Sequence, residues 1–479
     1  MRLFLFISIL SSCLGCLAQK NLTGYWQGEL TVGGGLKIGF RFFNDSTGKL
    51  SATMDSPDQG AYDIKTDEVV ALDDSIKVSV KSLNASYAGK IISDSSIEGI
   101  FRQGIKVPLK LRKLSKPFSR LKPQTPVPPF PYQSEEILFA GTDSSIVFAG
   151  TLTYPFAQEK NKTSLVKYPA ILLITGSGAQ NRDEEIMGHK PFMVLADYLT
   201  KAGFAVLRVD DRGTGKSTGT HSGATTADFC KDAAAALEFL KKQRMIDPKK
   251  IGLLGHSEGG LIASMLAADK KNIAFVILMA APGIPSLDLM AEQNIALLKA
   301  NGMSDSASQA YGSLYRKIVP AILSSADTAE ANKKGREVFD SWFSLQTDAV
   351  IKTLGLRESF KQNIYLKKFT QELLTPWFKY FMQADPGPYL QKLNCKVLAL
   401  NGEKDIQVVA TPNLEGIRNS LKKSKSRQYD IVFLPGLNHL LQNCQRCTPQ
   451  EYGKLEETIS PAAMEVISSW LSKNILMKK

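Results

Sequence analysis

Histidine and cysteine are scarce in this 479-residue chain, four and six in all. So few thiols over such a length exclude a scaffold held together by disulfides. Cys444-Gln445-Arg446-Cys447 is a lone C-x-x-C, and zinc would need two further ligands that the histidines do not obviously supply. No metal is expected, and a local disulfide is the simpler fate for this pair in an oxidising compartment. Long apolar runs are missing too: none reaches the about 18 residues of a membrane span. Nor are aromatics interleaved with bases. The net charge of +13 admits acidic partners, but its densest run, Lys422, Lys423, Lys425 and Arg427, has no rings to stack on bases and reads as a solvated face, not a nucleic-acid site. What the chain does have is an ordinary globular balance, 43% hydrophobic and 22% charged residues. It is long enough for several domains.

Arg2 precedes the apolar run Leu3 to Leu10, and small residues lead to Cys16-Leu17-Ala18. This order of charge, grease and small side chains predicts a secretory signal over 1–18, with Gln19 as the mature N-terminus. Leu10-Ser11-Ser12-Cys13 resembles a lipobox, so the alternative to a secreted or periplasmic protein is a lipoprotein anchored at Cys13.

Residues 21–116 are short apolar alternations broken by turn residues. Leu36 to Phe42, Ile76 to Val80 and Val107 to Leu111 place every second side chain on one face, the period of a half-buried sheet. A small all-β domain is expected, a barrel or sandwich, with no histidine and no chemistry of its own. Prolines 117, 123, 126, 128, 129 and 131 then make 117–133 an extended linker. From 134 to 479 the pattern becomes continuous apolar runs separated by helical faces: Ala170 to Ile174, Phe204 to Val209, Ile251 to Leu254, Ile273 to Met279 and Lys396 to Leu400. That is the signature of an α/β domain with a parallel sheet covered on both sides. The alternation lapses between Pro282 and Lys396, so 285–390 is expected to be a helical insertion. Its aromatics Trp342, Phe343, Trp377, Phe378, Tyr380 and Phe381 are candidates either for substrate binding or for the insertion's own core.

Gly255-His256-Ser257-Glu258-Gly259 lies where the strand Ile251 to Leu254 must turn into a helix. A serine at such a turn is exposed above the sheet, and flanking glycines let backbones pass close to it. A hydroxyl attacks only with a base to take its proton, and an acid to hold that base. His439 opens the loop after the strand Tyr429 to Leu434 and is the candidate base, whereas His256 should point away from Ser257. Asp405 follows the strand Lys396 to Leu400 and is the candidate acid, with Glu403 as its rival in the same turn. An oxyanion would be met by the amide of Glu258 and by that of Ser177 or Gly178, in the loop after Ile174. Asp210-Asp211-Arg212-Gly213-Thr214-Gly215-Lys216-Ser217 is one glycine short of a phosphate loop, because Asp210 stands where the first glycine belongs. It is expected to buttress the site through Arg212 and its neighbouring acids.

These motifs resemble the α/β-hydrolase superfamily, and closely its serine-aminopeptidase-like and prolyl-oligopeptidase-like branch of bacterial acyl hydrolases and carboxylesterases. The likeness runs from about 134 to 479 and rests on Gly-Ser-Gly-Ala-Gln-Asn-Arg-Asp-Glu from Gly176, the Asp210 segment, Gly-His-Ser-Glu-Gly-Gly from Gly255 and Asn-Gly-Glu-Lys-Asp from Asn401. The resemblance implies serine esterase chemistry on a small-molecule ester, no cofactor, and a helical lid inserted after the sixth strand. A peptidase with the same triad is the alternative it leaves open; a binding module with an inactive hydrolase core would require a missing catalytic residue, and none is missing. Cys444 and Cys447 form no part of the general family pattern.

Overall fold

The computed structural model describes residues 21–476 apart from 32–34, 60, 116–120, 157–166, 271 and 427. The expected signal segment 1–18 lies outside the described residues. The chain divides into two compact units, Met1–Arg120 and Leu121–Lys479.

The N-terminal unit contains β1 (Gly24–Leu30), β2 (Leu36–Asn44), β3 (Leu50–Ser56), β4 (Ala61–Lys65), β5 (Glu68–Leu72), β6 (Ser75–Val80), β7 (Ala85–Ser93), β8 (Ser96–Gln103) and β9 (Ile105–Lys113). They form one sheet in the order β4-β3-β2-β1-β9-β8-β7-β6-β5. β3 and β5 also meet, so the sheet curls around a core that includes Trp26, Phe40, Phe42 and Tyr87. Alternation produces this directly: in β9 Val107, Leu109 and Leu111 point inward while Lys106, Lys110 and Arg112 stay in water.

The C-terminal unit carries β10 (Tyr132–Ala140), β11 (Val147–Pro155), β12 (Tyr168–Ile174), α1 (Pro191–Lys201), β13 (Ala205–Val209), α2 (Thr226–Lys241), β14 (Ile246–His256), α3 (Glu258–Asp269) and β15 (Phe275–Met279). The insertion follows as α4 (Ser286–Ala300), α5 (Asp305–Leu323), α6 (Thr328–Ser344), α7 (Asp348–Thr353), α8 (Ser359–Leu373), α9 (Pro376–Gln383) and α10 (Gly387–Lys392). The chain then returns to β16 (Lys396–Gly402), α11 (Ala410–Leu421), β17 (Tyr429–Leu434), α12 (Pro449–Tyr452) and α13 (Pro461–Leu471).

The sheet order is β10-β11-β13-β12-β14-β15-β16-β17. From β13 to β17 the pairs are parallel, but β10 and β11 add an antiparallel edge. The sheet is therefore mixed, not purely parallel as the apolar runs suggested. β10 was hidden because Gln133, Ser134, Glu135 and Glu136 keep it polar and exposed, as an edge strand can be. Helices α1 and α13 cover one face, and α2, α3 and α11 the other. α2 starts where it does because the Asp228 carboxylate takes the free N–H of Thr225 at 3.1 Å.

Two boundaries differ from expectation. Residues 121–131 are not a free spacer: Lys122 Nζ donates to the carbonyls of Gly453 and Leu455 at 2.8 and 2.7 Å, and Gln124 donates to Ile459 at 2.8 Å. Proline keeps this segment out of the sheet, yet its side chains tie it to the unit. At the other end, Leu390 on α10 belongs to the core under the sheet, so the separate helical layer stops before α10. Its own core is built around Leu314, Ile318, Phe339 and Trp342. Among the described residues no helix is long and apolar enough to cross a membrane.

Candidate active site

β14 runs into α3 through Ser257, whose φ of 53° and ψ of −125° put a residue with a Cβ in left-handed territory. Such strain persists only where its surroundings over-determine it. Here the Ser257 N–H donates to the Met279 carbonyl at 2.9 Å, and the neighbours leave no room for side chains. A Cβ on Gly255 would fall 2.0 Å from the Gly259 oxygen, and one on Gly259 2.2 Å from the Ile174 oxygen. The glycines are thus required by close approach, as the motif implied.

Asp405 and His439 stand on the loops after β16 and β17. His439 Nδ1 donates to Asp405 Oδ2 at 2.8 Å, and both residues are buried. Asp405 Oδ1 accepts the N–H groups of Gln407 and Val408, each at 2.8 Å. A carboxylate accepts only, so Nδ1 of His439 carries a proton, and in the neutral ring Nε2 is the nitrogen left to act as acceptor. Glu403 instead accepts the Gly436 N–H at 3.0 Å from an exposed position and does not touch the histidine.

Ser257 and His439 line one cavity of about 230 Å³, together with Ser177, Glu258, Trp377 and Phe381. Ser177 borders this cavity, whereas Gly178 borders a separate apolar one. The Gly176 N–H is already taken by Glu184 Oε1 at 2.7 Å. Of the two loop candidates for an oxyanion donor, the geometry therefore brings Ser177 to Ser257 and leaves Gly178 aside. Glu258 opens α3, where the first amides have no intrahelical acceptor.

The aromatic candidates separate as well. Trp377 lines the cavity and stacks on Phe381 with ring centroids 5.0 Å apart. Trp342 lies in the core of the helical layer, its Nε1 donating to the Ala310 carbonyl at 3.0 Å, and Phe378 packs against that core. Neither Trp342 nor Phe378 borders the cavity. Helix periodicity could not separate them, because the apolar face of a helix in a small layer meets both core and cavity.

Three supporting groups carried no signal in the sequence. The buried Glu258 carboxylate accepts from Thr226 Oγ1 at 2.6 Å and from Trp377 Nε1 at 3.0 Å, linking α2, the elbow and α9. Burial pushes its carboxyl above the usual carboxylate range, against the pull of these donors. His256 was expected to point away from Ser257, but it is buried on the wall of the same cavity, with Nδ1 3.0 Å from Glu184 Oε1 and Nε2 3.1 Å from the His439 carbonyl. Burial works against the charged ring, but the Glu184 carboxylate holds it above its ordinary value. Glu184 is the third, a buried acid at φ 51°.

The Asp210 segment braces the site differently from expectation. Arg212 pairs with Asp232 of α2, both contacts at 2.6 Å, and not with its neighbours. Asp210 binds Arg182. Asp211 holds the oxyanion loop, accepting from Thr175 Oγ1 at 2.8 Å and the Gln180 N–H at 2.9 Å. Burial pushes its carboxyl up to about 7, and Glu184 and Asp232 add repulsion. His189 is structural: it bonds Thr458 and the Tyr452 carbonyl, and burial beside Lys122 lowers it to about 4. Cys444 and Cys447 are joined in a disulfide on the loop after His439. Among the described residues no group of three or more His, Cys, Asp or Glu is placed to hold a metal ion.

A sheet of this order, with a serine on the strand-to-helix elbow and a histidine and an aspartate on later loops, defines the α/β hydrolases as a class. The family model described as serine aminopeptidase, S33, matches residues 190–336. Among curated proteins the chain is similar to the esterase EstD of Thermotoga maritima, 23% identical over 309 residues. That match covers 64% of this chain and 62% of EstD, so the chain spans less than two thirds of that relative. Solved structures that match this chain include the Pyrococcus furiosus esterase Pf2001, 13% identical with a TM-score of 0.41, over 75% of this chain and 99% of that one. Est1E from Butyrivibrio proteoclasticus, with ferulic acid bound, is 16% identical with a TM-score of 0.39, over 71% of this chain and all of its own, 100%. Over residues 190–336 the chain is thus similar to the serine aminopeptidase, S33, family, and more distantly to a curated esterase.

Proposed function

We propose that this protein is a serine hydrolase of carboxylic esters that works through an acyl-enzyme. The observation that carries the reading is the buried pair of His439 Nδ1 and Asp405 Oδ2 at 2.8 Å, on the same cavity as a strained Ser257. In this reading His439 Nε2 takes the proton as Ser257 Oγ bonds to the substrate carbonyl carbon. The carbonyl oxygen becomes an oxyanion facing the amides of Ser177 and Glu258. His439 then hands its proton to the departing alcohol, and water repeats the sequence to free the acid. Asp405 keeps the imidazole in its tautomer and offsets its charge when protonated.

Trp377, Phe381, Leu289 and Met290 make the cavity wall apolar, which suits an acyl chain, with α4 and α9 acting as a lid. Aminopeptidase action is the second reading, favoured by the family model that matches 190–336. One screen separates them: nitrophenyl esters of graded chain length against aminoacyl amides, with a fluorophosphonate probe to report Ser257. Turnover of the esters and not the amides is expected. Turnover of amides alone assigns the peptidase, and no labelling of Ser257 sinks both. Export is part of the proposal, supported by the Arg2 to Ala18 pattern and the Cys444–Cys447 disulfide. The N-terminal sequence of the protein from its own host tests it, with Gln19 or a lipidated Cys13 expected and Met1 contradicting it.

A further inference from the structure

We propose that Glu184 and His256 form a buried ion pair in the cavity wall that positions the catalytic groups, binding the oxyanion loop, the elbow and the base loop into one unit. The inference rests on the serine hydrolase reading above. Its first support is the chemistry of the contacts. His256 Nδ1 faces a carboxylate oxygen at 3.0 Å and Nε2 faces a backbone carbonyl at 3.1 Å. Both partners only accept, so both ring nitrogens donate and the ring is an imidazolium. A buried imidazolium needs an opposite charge beside it, and Glu184 supplies it.

The second support is where the contacts lead. Glu184 Oε1 also accepts the Gly176 N–H at 2.7 Å, one residue before Ser177. His256 precedes the nucleophile. The carbonyl it grips belongs to His439 itself. The three segments arrive from β12, β14 and β17, and this pair touches all three. The third support is cost. Glu184 sits at φ 51° with Oε2 buried and without a partner among the described residues, two penalties that a side chain serving packing alone would not need.

The charged and titratable groups facing His256 are Glu184, Asp405 through its field, and the His439 ring at 4.8 Å between centroids. As pH rises past the raised value of His256, Nε2 gives up its proton and the His439 carbonyl loses its donor. The pair therefore sets an alkaline limit on catalysis. Glu184→Gln keeps an oxygen for the Gly176 N–H but removes the charge, so it should bring that limit to lower pH.

The test is the second-order rate of fluorophosphonate labelling of Ser257 across pH 5 to 10, in the full chain and in E184Q, H256Q and the double variant. Each single variant is expected to label about tenfold more slowly, with the alkaline limb of E184Q displaced down by about one pH unit. The double variant should be no slower than the slower single one, since the two side chains act as one unit. Folded variants that label within about twofold of wild type, or a double variant whose losses multiply, overturn the proposal. Absence of labelling in wild type would instead remove the serine hydrolase reading. If the variants do not fold, nitrogen NMR of the native chain decides: four histidines are few enough to assign, and a His256 ring with one bare nitrogen at pH 7 overturns the pair.

Discussion

Two acids two residues apart compete to orient His439, and burial with hydrogen bonding separates them. Asp405 is buried, bonded to the ring and held by two amides, while Glu403 reaches only the Gly436 N–H. Asp405→Asn should therefore lower kcat by about 10⁴-fold with little change in KM, because an amide stabilises the wrong tautomer. Glu403→Gln should stay within about threefold of wild type. Steady-state kinetics on a nitrophenyl ester measures both, and the reverse ranking moves the acid to Glu403. Ser257→Ala is expected to abolish labelling and turnover while the melting temperature moves by no more than about 2 °C, since the side chain contributes little packing. Stoichiometric labelling of that variant would show another nucleophile. At this scale Ser257, His439 and Asp405 were legible from their places after apolar strands. Glu184 and His256 were not, since their contacts span 72 and 183 positions of sequence.

The helical insertion and the loop after β12 make separate predictions. Trp377→Ala and Phe381→Ala should alter chain-length preference across an ester series, because both rings form the cavity wall. Trp342→Ala should leave the preference unchanged but cost about 3 to 5 kcal/mol of stability, since its ring sits in the layer's core. Thermal melting alongside the ester series distinguishes the two outcomes. Behind the loop, Asp211 titrates near 7 against an ordinary 3.8, chiefly through burial. The folded protein then holds this proton more tightly than the unfolded chain, so the stability it contributes is complete below pH 4 and lost as pH rises through 7. Melting temperatures from pH 4 to 8 should fall more steeply in wild type than in Asp211→Asn. Parallel curves would mean that Asp211 is an ordinary ionised carboxylate.

Each unit buries its own core, one inside the curled sheet around Trp26 and Phe40 and others on the two faces of the mixed sheet. No residue proposed for catalysis belongs to the first 120. A chain beginning at Leu121 should therefore fold and label at Ser257 at a rate within about threefold of the full protein. A cut beyond Gln124 should melt at lower temperature, because it removes the bonds from Lys122 and Gln124 to the 453–459 segment. Failure of the longer fragment to label would assign the N-terminal unit a part in the active site.

By itself the sequence determined what depends on local periodicity and local chemistry. Alternation specified the N-terminal strands, continuous apolar runs specified β12 to β16, and Gly255 to Gly260 specified the elbow, because each is written within one element. The tertiary structure decided whatever depends on which distant elements meet. Pairing at the sheet edge made β10 a strand despite its polar face. Cavity geometry placed Ser177 and Trp377 at the wall beside Ser257, and Gly178, Trp342 and Phe378 away from it. Burial, which no local window records, brought Glu184, His256 and Asp211 to the site and shifted the protons of His256 and Asp211, since desolvation and the field of a neighbouring charge exist only once the chain has closed around them.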